Sequence, residues 1–438
     1  MEEDEAPQAE QTPQQHAAKS TGEAGLDGHG AVAIAIEVDP RVQGVVDELL
    51  ERAREIRPVL RADQAATEER GVYSQQVHEF FLEHGFYKML MPLKFGGLEL
   101  TVSAFYQVIA EISRGCPSTG WCLSLAAGHS LSLGSYWPEE SQREVFGQHG
   151  YMVCPASGNG MDVTLTRVEG GWRVSGFWRY SSGAPYSTHF MPTLLLPNED
   201  GSVTRSWAVL PRSDFEVVGD WGRVMGMRGS GSNSIRIADA AIPDHLIVTQ
   251  NWAHQLTEPA IGYRVHGNPL YSGTFTAFGE GEVAAVTVGL GYAMADEYER
   301  IILTSSHPYV KDGSVRAEHA DWQRNLGLAI SKVDAAASIL ARGGQLYSAY
   351  AARLVAGIEP FSMSRSTRLS GTYFVLEELI WEAVEGLFRT AGTRYSADGE
   401  TLQRYFRDMV ATRTRTDQFE FVASPTATAF LRARGELG

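Results

Sequence analysis

The sequence has little cysteine: Cys116, Cys122 and Cys154 are the three in 438 residues. An odd, small number with no CxxC spacing excludes a disulfide framework and a thiolate zinc site. It points to a reducing compartment in which all three act as small apolar packing residues. No apolar run reaches the roughly 18 residues that span a bilayer. The opening stretch, MEEDEAPQAEQTPQQHAAKS, is acidic and lacks the apolar centre of a secretory leader. Neither HxxxH nor HExxH occurs among the 12 histidines, so no metal site is expected. A phosphate loop is missing too. GSGSNS (229–234) is glycine-rich, but a strand pattern follows it, so there is no helix N-terminus to cradle a phosphate. Basic residues are in deficit, and the net charge of -16 repels nucleic-acid phosphates and anionic lipid. A cytoplasmic protein with neither nucleic acid nor membrane as partner is expected.

What remains is an ordinary globular composition, 43% hydrophobic and 21% charged, long enough for two or three domains around a large core. Residues 1–36 are rich in Glu, Gln, Ala, Pro and Gly and hold little to bury, so a disordered acidic tail is expected there. Over 37–150 apolar residues recur at helical spacing. The clearest stretches are VQGVVDELLERAREIRPVL (42–60), SQQVHEFFLEHGFYKMLMP (74–92), TVSAFYQVIAEIS (101–113) and the less polar STGWCLSLAAGHSLSLGSY (118–136). They predict an N-terminal helical domain. Over 151–250 short apolar runs such as WRVSGFWRY, HFMPTLLLP and SNSIRIADAAIP alternate with Gly, Asn and Asp turns, which suggests a small antiparallel barrel or sandwich. Over 251–438 long helical patterns return (280–306, 323–354, 367–392), sufficient for a four-helix bundle. Gly289, Gly291, Ala293 and Ala295 would let the first of these helices approach a neighbour closely, within the subunit or between subunits. The predicted class is α+β, mainly α: a helical domain, a central antiparallel β-barrel and a C-terminal four-helix bundle.

This order resembles the acyl-CoA dehydrogenase superfamily, and local stretches carry the likeness over about residues 40–435. VSGFWRYSSG (174–183) resembles the strand that ends beside the flavin ring, where the family places an aromatic residue, a spacer and then Ser or Thr; here these are Tyr180, Ser181 and Ser182. MGMRGSGSNSIRIADAAIP (225–243) is similar to the family's stretch from a Gly-Ser turn into the last barrel strands. LFRTAG (387–392) and LQRYFRDM (402–409) resemble the C-terminal helix pair that closes over the flavin.

Two departures lead away from the dehydrogenases. Their Thr-Glu-Pro-x-Ala-Gly-Ser-Asp loop is matched by CPASGNGMD (154–162), without the Thr-Glu-Pro. The Glu base that often follows their C-terminal Arg-Asp falls near Thr416, and a hydroxyl cannot remove an α-proton without a base of its own. By contrast, Gly120-Trp121 with His129 eight residues later, and Ser157 with Ser182 twenty-five residues on, are similar to the flavin-dependent monooxygenases of this fold. These are the oxygenase components of two-component aromatic hydroxylases.

That resemblance implies reduced FMN (FMNH2) or FADH2 delivered by a separate flavin reductase, capture of O2 as a flavin C4a-hydroperoxide, and hydroxylation of a phenolic or polycyclic aromatic substrate by a homotetramer. In that scheme Ser182 bonds to flavin N5, with Tyr180 and Ser181 beside it. Ser157 meets the peroxide oxygens or the substrate. His129 accepts a phenolic proton, and Trp121 packs near the ring. Ala391 and Gly392 admit close backbone approach, and Arg316 reaches a flavin phosphate across a subunit boundary. Arg415, where such oxygenases often carry His, pairs with an anionic substrate or the phosphate. Each residue also has a local reading: Ser182 as a strand-end cap, Ser157 in a turn, His129 in the core, Gly392 as a helix C-cap, Arg415 as a solvated charge. Two alternatives stay open. One is an acyl-CoA dehydrogenase with Glu282 as base, because a minority of dehydrogenases carry the base on the first bundle helix. The other is a noncatalytic flavin-binding relative.

Overall fold

The apolar spacing of the first stretches is realised as helices whose starts are capped by the expected hydroxyls. Ser74 accepts from the Val77 amide and Thr101 from the Ala104 amide. The structure, a computed structural model, describes residues 40–310, 312–414 and 417–433; the tail expected over 1–36, Arg415 and Thr416 lie outside them. Among the described residues, six α-helices come first: α1 (Pro40–Ala62), α2 (Gln64–Arg70), α3 (Gln75–Glu83), α4 (Val102–Gly115), α5 (Pro117–Tyr136) and α6 (Glu139–His149). Helix α5 opens with proline in its first turn, where the missing amide costs nothing. Every residue of α5 is buried except Trp121 and Leu125.

The strands are β1 (Ala156–Ser157), β2 (Gly160–Val168), β3 (Gly171–Ser181), β4 (His189–Pro197), β5 (Val203–Ala208), β6 (Leu210–Pro211), β7 (Glu216–Val218), β8 (Asn233–Pro243) and β9 (Ile247–Thr249). Their pairings give two sheets rather than one continuous ladder: β1-β4-β5-β9 with β6 beside β4, and β2-β3-β8-β7. All pairs are antiparallel except β1 with β4. Trp178, Phe190, Trp207 and Ile235 belong to one apolar core shared by the two sheets. The register of β3 against β8 shifts between Trp178 and Ser181, and Tyr180 takes a left-handed φ of 64° at that bulge.

The remaining helices are α7 (Ile261–His266), α8 (Phe275–Thr304), α9 (Ala320–Val355), α10 (Met363–Ala391), α11 (Thr401–Arg413) and α12 (Asp417–Ala433). Helices α8, α9 and α10 pack on one another; α11 lies against α8 and α10, and α12 against α10. The small residues of α8 serve contacts inside the chain. A Cβ at Gly289 would fall 2.2 Å from the Ala110 carbonyl oxygen of α4, and one at Gly291 would fall 2.9 Å from Ile380 of α10. Helix α8 therefore joins the bundle to the N-terminal helices and also lies against α5. None of the described helices is long and apolar enough to cross a membrane.

Candidate active site

A cavity of about 920 Å³ opens where α5, the ends of β1 and β3, strand β5 and the start of α8 meet. That is the size of a small-molecule or cofactor site. Helix α5 presents Trp121, Leu125 and His129 to it, at the i, i+4, i+8 spacing that aligns residues on one face. The two partly exposed residues of this otherwise buried helix thus border the cavity.

His129 is 4% exposed, and its Nδ1 lies 2.7 Å from the Cys154 carbonyl oxygen. A carbonyl can only accept, so Nδ1 carries the proton and donates it, and Nε2 keeps its lone pair. Burial pulls the His129 pKa down to about 4, so the ring is neutral at physiological pH. Two aromatic side chains border it within the cavity wall: Trp207 edge-on at 6.1 Å and Phe275 at 6.4 Å. Neither was singled out in the sequence. Trp207 is fixed by its indole N–H, which donates to Thr193 Oγ1 at 2.9 Å.

Ser182 also faces the cavity, and its oxygen accepts from Trp121 Nε1 at 2.9 Å. It shares a further hydrogen bond with Ser232 Oγ at 2.8 Å, and Ser232 in turn with Ser230 at 2.6 Å. The GSGSNS stretch is therefore no phosphate loop; two of its serines back Ser182. Its approach is fixed from the other side. The Met227 amide donates to Asp408 on α11 at 2.6 Å, and a Cβ at Gly226 would fall 2.0 Å from the Arg407 carbonyl oxygen. This explains in contacts why 225–234 and Arg407-Asp408 stand out together.

Tyr180 lines the cavity and is exposed; Ser181 does not line it. Strand alternation turns the Ser181 side chain into the protein, where its hydroxyl is buried with no hydrogen-bond partner among the described residues. Ser157 lines the cavity, but its hydroxyl donates to the Arg179 carbonyl at 2.6 Å and accepts from the Asn159 amide at 3.2 Å. Its proton is committed to the backbone of β3, so it offers the cavity an acceptor rather than a donor.

Two family models match this chain: the acyl-CoA dehydrogenase N-terminal domain over residues 46–146 and the acyl-CoA dehydrogenase C-terminal domain over 282–416. The chain belongs to the acyl-CoA dehydrogenase family. Its relatives narrow the branch. It is 28% identical over 369 residues to a pigment production hydroxylase of a Rhodococcus species, covering 83% of this chain and 90% of the relative. It is 26% identical over 373 residues to the oxygenase subunit HsaA, a flavin-dependent monooxygenase of Rhodococcus jostii, covering 83% and 93%. Among solved structures, XiaF from a Streptomyces species, in complex with FADH2 and glycerol, has the same fold with a TM-score of 0.77 at 23% identity, covering 90% of this chain and 97% of that one.

Two further groups bear on the acyl-CoA dehydrogenase comparison. Glu282, on α8, is 2% exposed and lines the same cavity as His129. Gly128 makes room for it, since a Cβ there would fall 2.3 Å from Glu282 Oε2. Arg316, Ala391 and Gly392 come together elsewhere. Arg316 Nη1 donates to the Ala391 carbonyl at 2.5 Å, and its guanidinium lies over the Trp322 and Tyr395 rings. None of the three lines the cavity. Gly392 follows the last residue of α10 with φ 103°, a conformation that favours glycine.

Proposed function

We propose that this chain is the oxygenase component of a two-component flavin-dependent monooxygenase, which takes reduced FMN or FADH2 from a separate reductase and hydroxylates a phenolic or polycyclic aromatic substrate with O2. The observation that carries the reading is the neutral His129, with Nδ1 spent on Cys154 and Nε2 left to accept, inside a cavity walled by Trp207 and Phe275. A phenol fits both features: its ring packs edge-on or offset against the aromatic wall, and its hydroxyl donates to Nε2.

The cavity also fits a flavin ring by its own chemistry. It combines hydroxyl groups at strand ends with aromatic surface and enough volume for a ring beside a substrate. Bound reduced flavin supplies the activation of O2, which no side chain can. The protein's part is to hold, orient and exclude. Trp121 donates to Ser182, and a Ser182 to Ser232 to Ser230 direction of hydrogen bonding would leave a Ser182 lone pair to accept from the N5–H of reduced flavin. His129, drawing on the phenolic proton, raises electron density on the ring to be attacked. Buried α5 and the two sheets keep bulk water away. The cluster of Arg316, Ala391 and Gly392 then serves a flavin phosphate belonging to a neighbouring subunit of a homotetramer.

Rapid mixing of the anaerobic chain, loaded with reduced FMN, against oxygenated buffer tests this. A transient spectrum distinct from both reduced and oxidised flavin is expected; direct reoxidation without it would count against an oxygenase. One observation favours a second reading, the burial of Glu282 in the same cavity. An acyl-CoA dehydrogenase using that carboxylate would hold oxidised FAD tightly and be bleached by an acyl-CoA. Neither flavin binding nor turnover would leave a noncatalytic relative.

A further inference from the structure

Among the described residues that line the cavity, Arg205 on β5 is the one cationic side chain. Its Nε donates to Gln250 Oε1 at 2.6 Å, and Gln250 lines the cavity beside it. Its Nη2 lies against the β1–β2 turn, 3.4 Å from where a Cβ on Gly158 would stand. A neutral amide thus fixes the guanidinium through one nitrogen and leaves both terminal nitrogens as donors, with no carboxylate partner among the described residues. His254, also on the wall, has its Nδ1 at 2.7 Å from Thr276 Oγ1; its pKa is lowered by burial and then by the charge of Arg205. It therefore adds no second positive charge at neutral pH.

Strand geometry places this charge relative to the aromatic wall. Side chains two apart on a strand share a face, so Arg205 and Trp207 point the same way, about 7 Å apart along the strand. Trp207 is in turn edge-on to His129. The remaining charged residues on the wall are acids, Glu280 and Glu282, both on α8. Arg205, on β5, is thus the lining residue with guanidinium donors to offer an anion.

We infer that Arg205 is the specificity-determining residue of this cavity and binds the carboxylate of an aromatic acid whose ring lies against Trp207, Phe275 and His129. Two parallel N–H···O bonds from a planar guanidinium match a carboxylate, and Gln250 holds the plane. The inference rests on the proposed aromatic-substrate reading of the cavity and names the chemical class of that substrate.

The test is equilibrium binding to the full chain, with and without oxidised FMN, followed by calorimetry. The probes are 4-hydroxyphenylacetate and its neutral isostere 4-hydroxyphenylacetamide. The wild type is expected to prefer the acid by roughly 10- to 100-fold. Arg205→Gln should cut that preference to about threefold or less and leave the amide's affinity unchanged, and Arg205→Lys should keep an intermediate preference. Arg205 is exposed, so these variants are expected to melt as the wild type does. Equal binding of acid and amide by the wild type, or a preference that survives in Arg205→Gln, overturns the assignment while leaving the aromatic cavity standing. If neither probe binds, the aromatic reading itself fails and takes the assignment with it. If Arg205→Gln weakens FMN but not riboflavin, the cation serves the flavin phosphate and the inference is wrong.

Discussion

Replacing His129 by alanine separates a structural from a chemical role in one variant. The imidazole is buried, and burial holds its pKa at about 4 against the ordinary histidine value near 6.5. That gap corresponds to roughly 3 kcal/mol. Because the folded value is the depressed one, the unfolded chain takes up the proton first. The contribution to stability is therefore complete above about pH 6.5 and is lost as pH falls toward about 4. Alanine does not titrate, so the variant escapes this loss. At pH 7.5 the variant instead loses the bond to the Cys154 carbonyl, leaving a buried acceptor at a cost of about 1–3 kcal/mol. The two stability profiles should thus converge near pH 5, where the wild type has lost about 2 kcal/mol of the histidine term. Thermal melts from pH 5 to 8 read this directly. Single-turnover product analysis with a phenol reads the chemistry. Hydroxylation should fall by about 10²- to 10⁴-fold, the usual worth of a positioned base, while flavin oxidation continues and yields H2O2. A variant that melts in parallel with the wild type across that range, and hydroxylates within about threefold of it, would refute both arguments.

Other perturbations test neighbouring parts. Ser182→Ala removes the acceptor of the Trp121 indole and the partner of Ser232, so a loss of about 1 kcal/mol in stability and a higher H2O2 yield per flavin oxidised are expected; unchanged coupling removes Ser182 from the mechanism. Asp408 is raised by burial to about 7, so its contribution is present below the ordinary carboxylate range and fades as pH rises through about 7. Asp408→Asn keeps an oxygen for the Met227 amide and should melt above the wild type by a margin that grows from pH 5 to pH 8; a margin that shrinks or reverses over that range would mean that the carboxylate is stabilised by the nearby arginines. Gly120→Ala drives a Cβ to 1.9 Å from Ser113 Oγ and should lower stability by about 1–3 kcal/mol or more, with a melting temperature unchanged from the wild type as the contrary outcome.

Much of the architecture was legible because helices and strands write their period into the sequence. The runs at 42–60, 101–113 and 118–136 became α1, α4 and α5, and WRVSGFWRY and SNSIRIADAAIP became the paired β3 and β8. Short strands β1 and β9 and helix α7 carry too few residues to show a period. The site was legible in part, since Trp121, His129, Ser157, Tyr180 and Ser182 do share one cavity. Ser181 is absent from that cavity because a one-residue step on a strand reverses the face. Arg316, Ala391 and Gly392 gather at the end of α10, away from that cavity, because a helix end says nothing about which cavity it meets.

The sequence by itself determined the order of helices, strands and helices, and the α5 stripe that carries Trp121 and His129, because both follow from local periodicity. Only the tertiary structure decided which nitrogen of His129 is left to accept, that Trp207 and Phe275 wall the cavity, that Ser230 and Ser232 stand behind Ser182, and that Arg205 is held by Gln250. Each of these pairs residues from separate elements, tens of positions apart in most cases, and packing geometry brings them within hydrogen-bond or ring-contact distance.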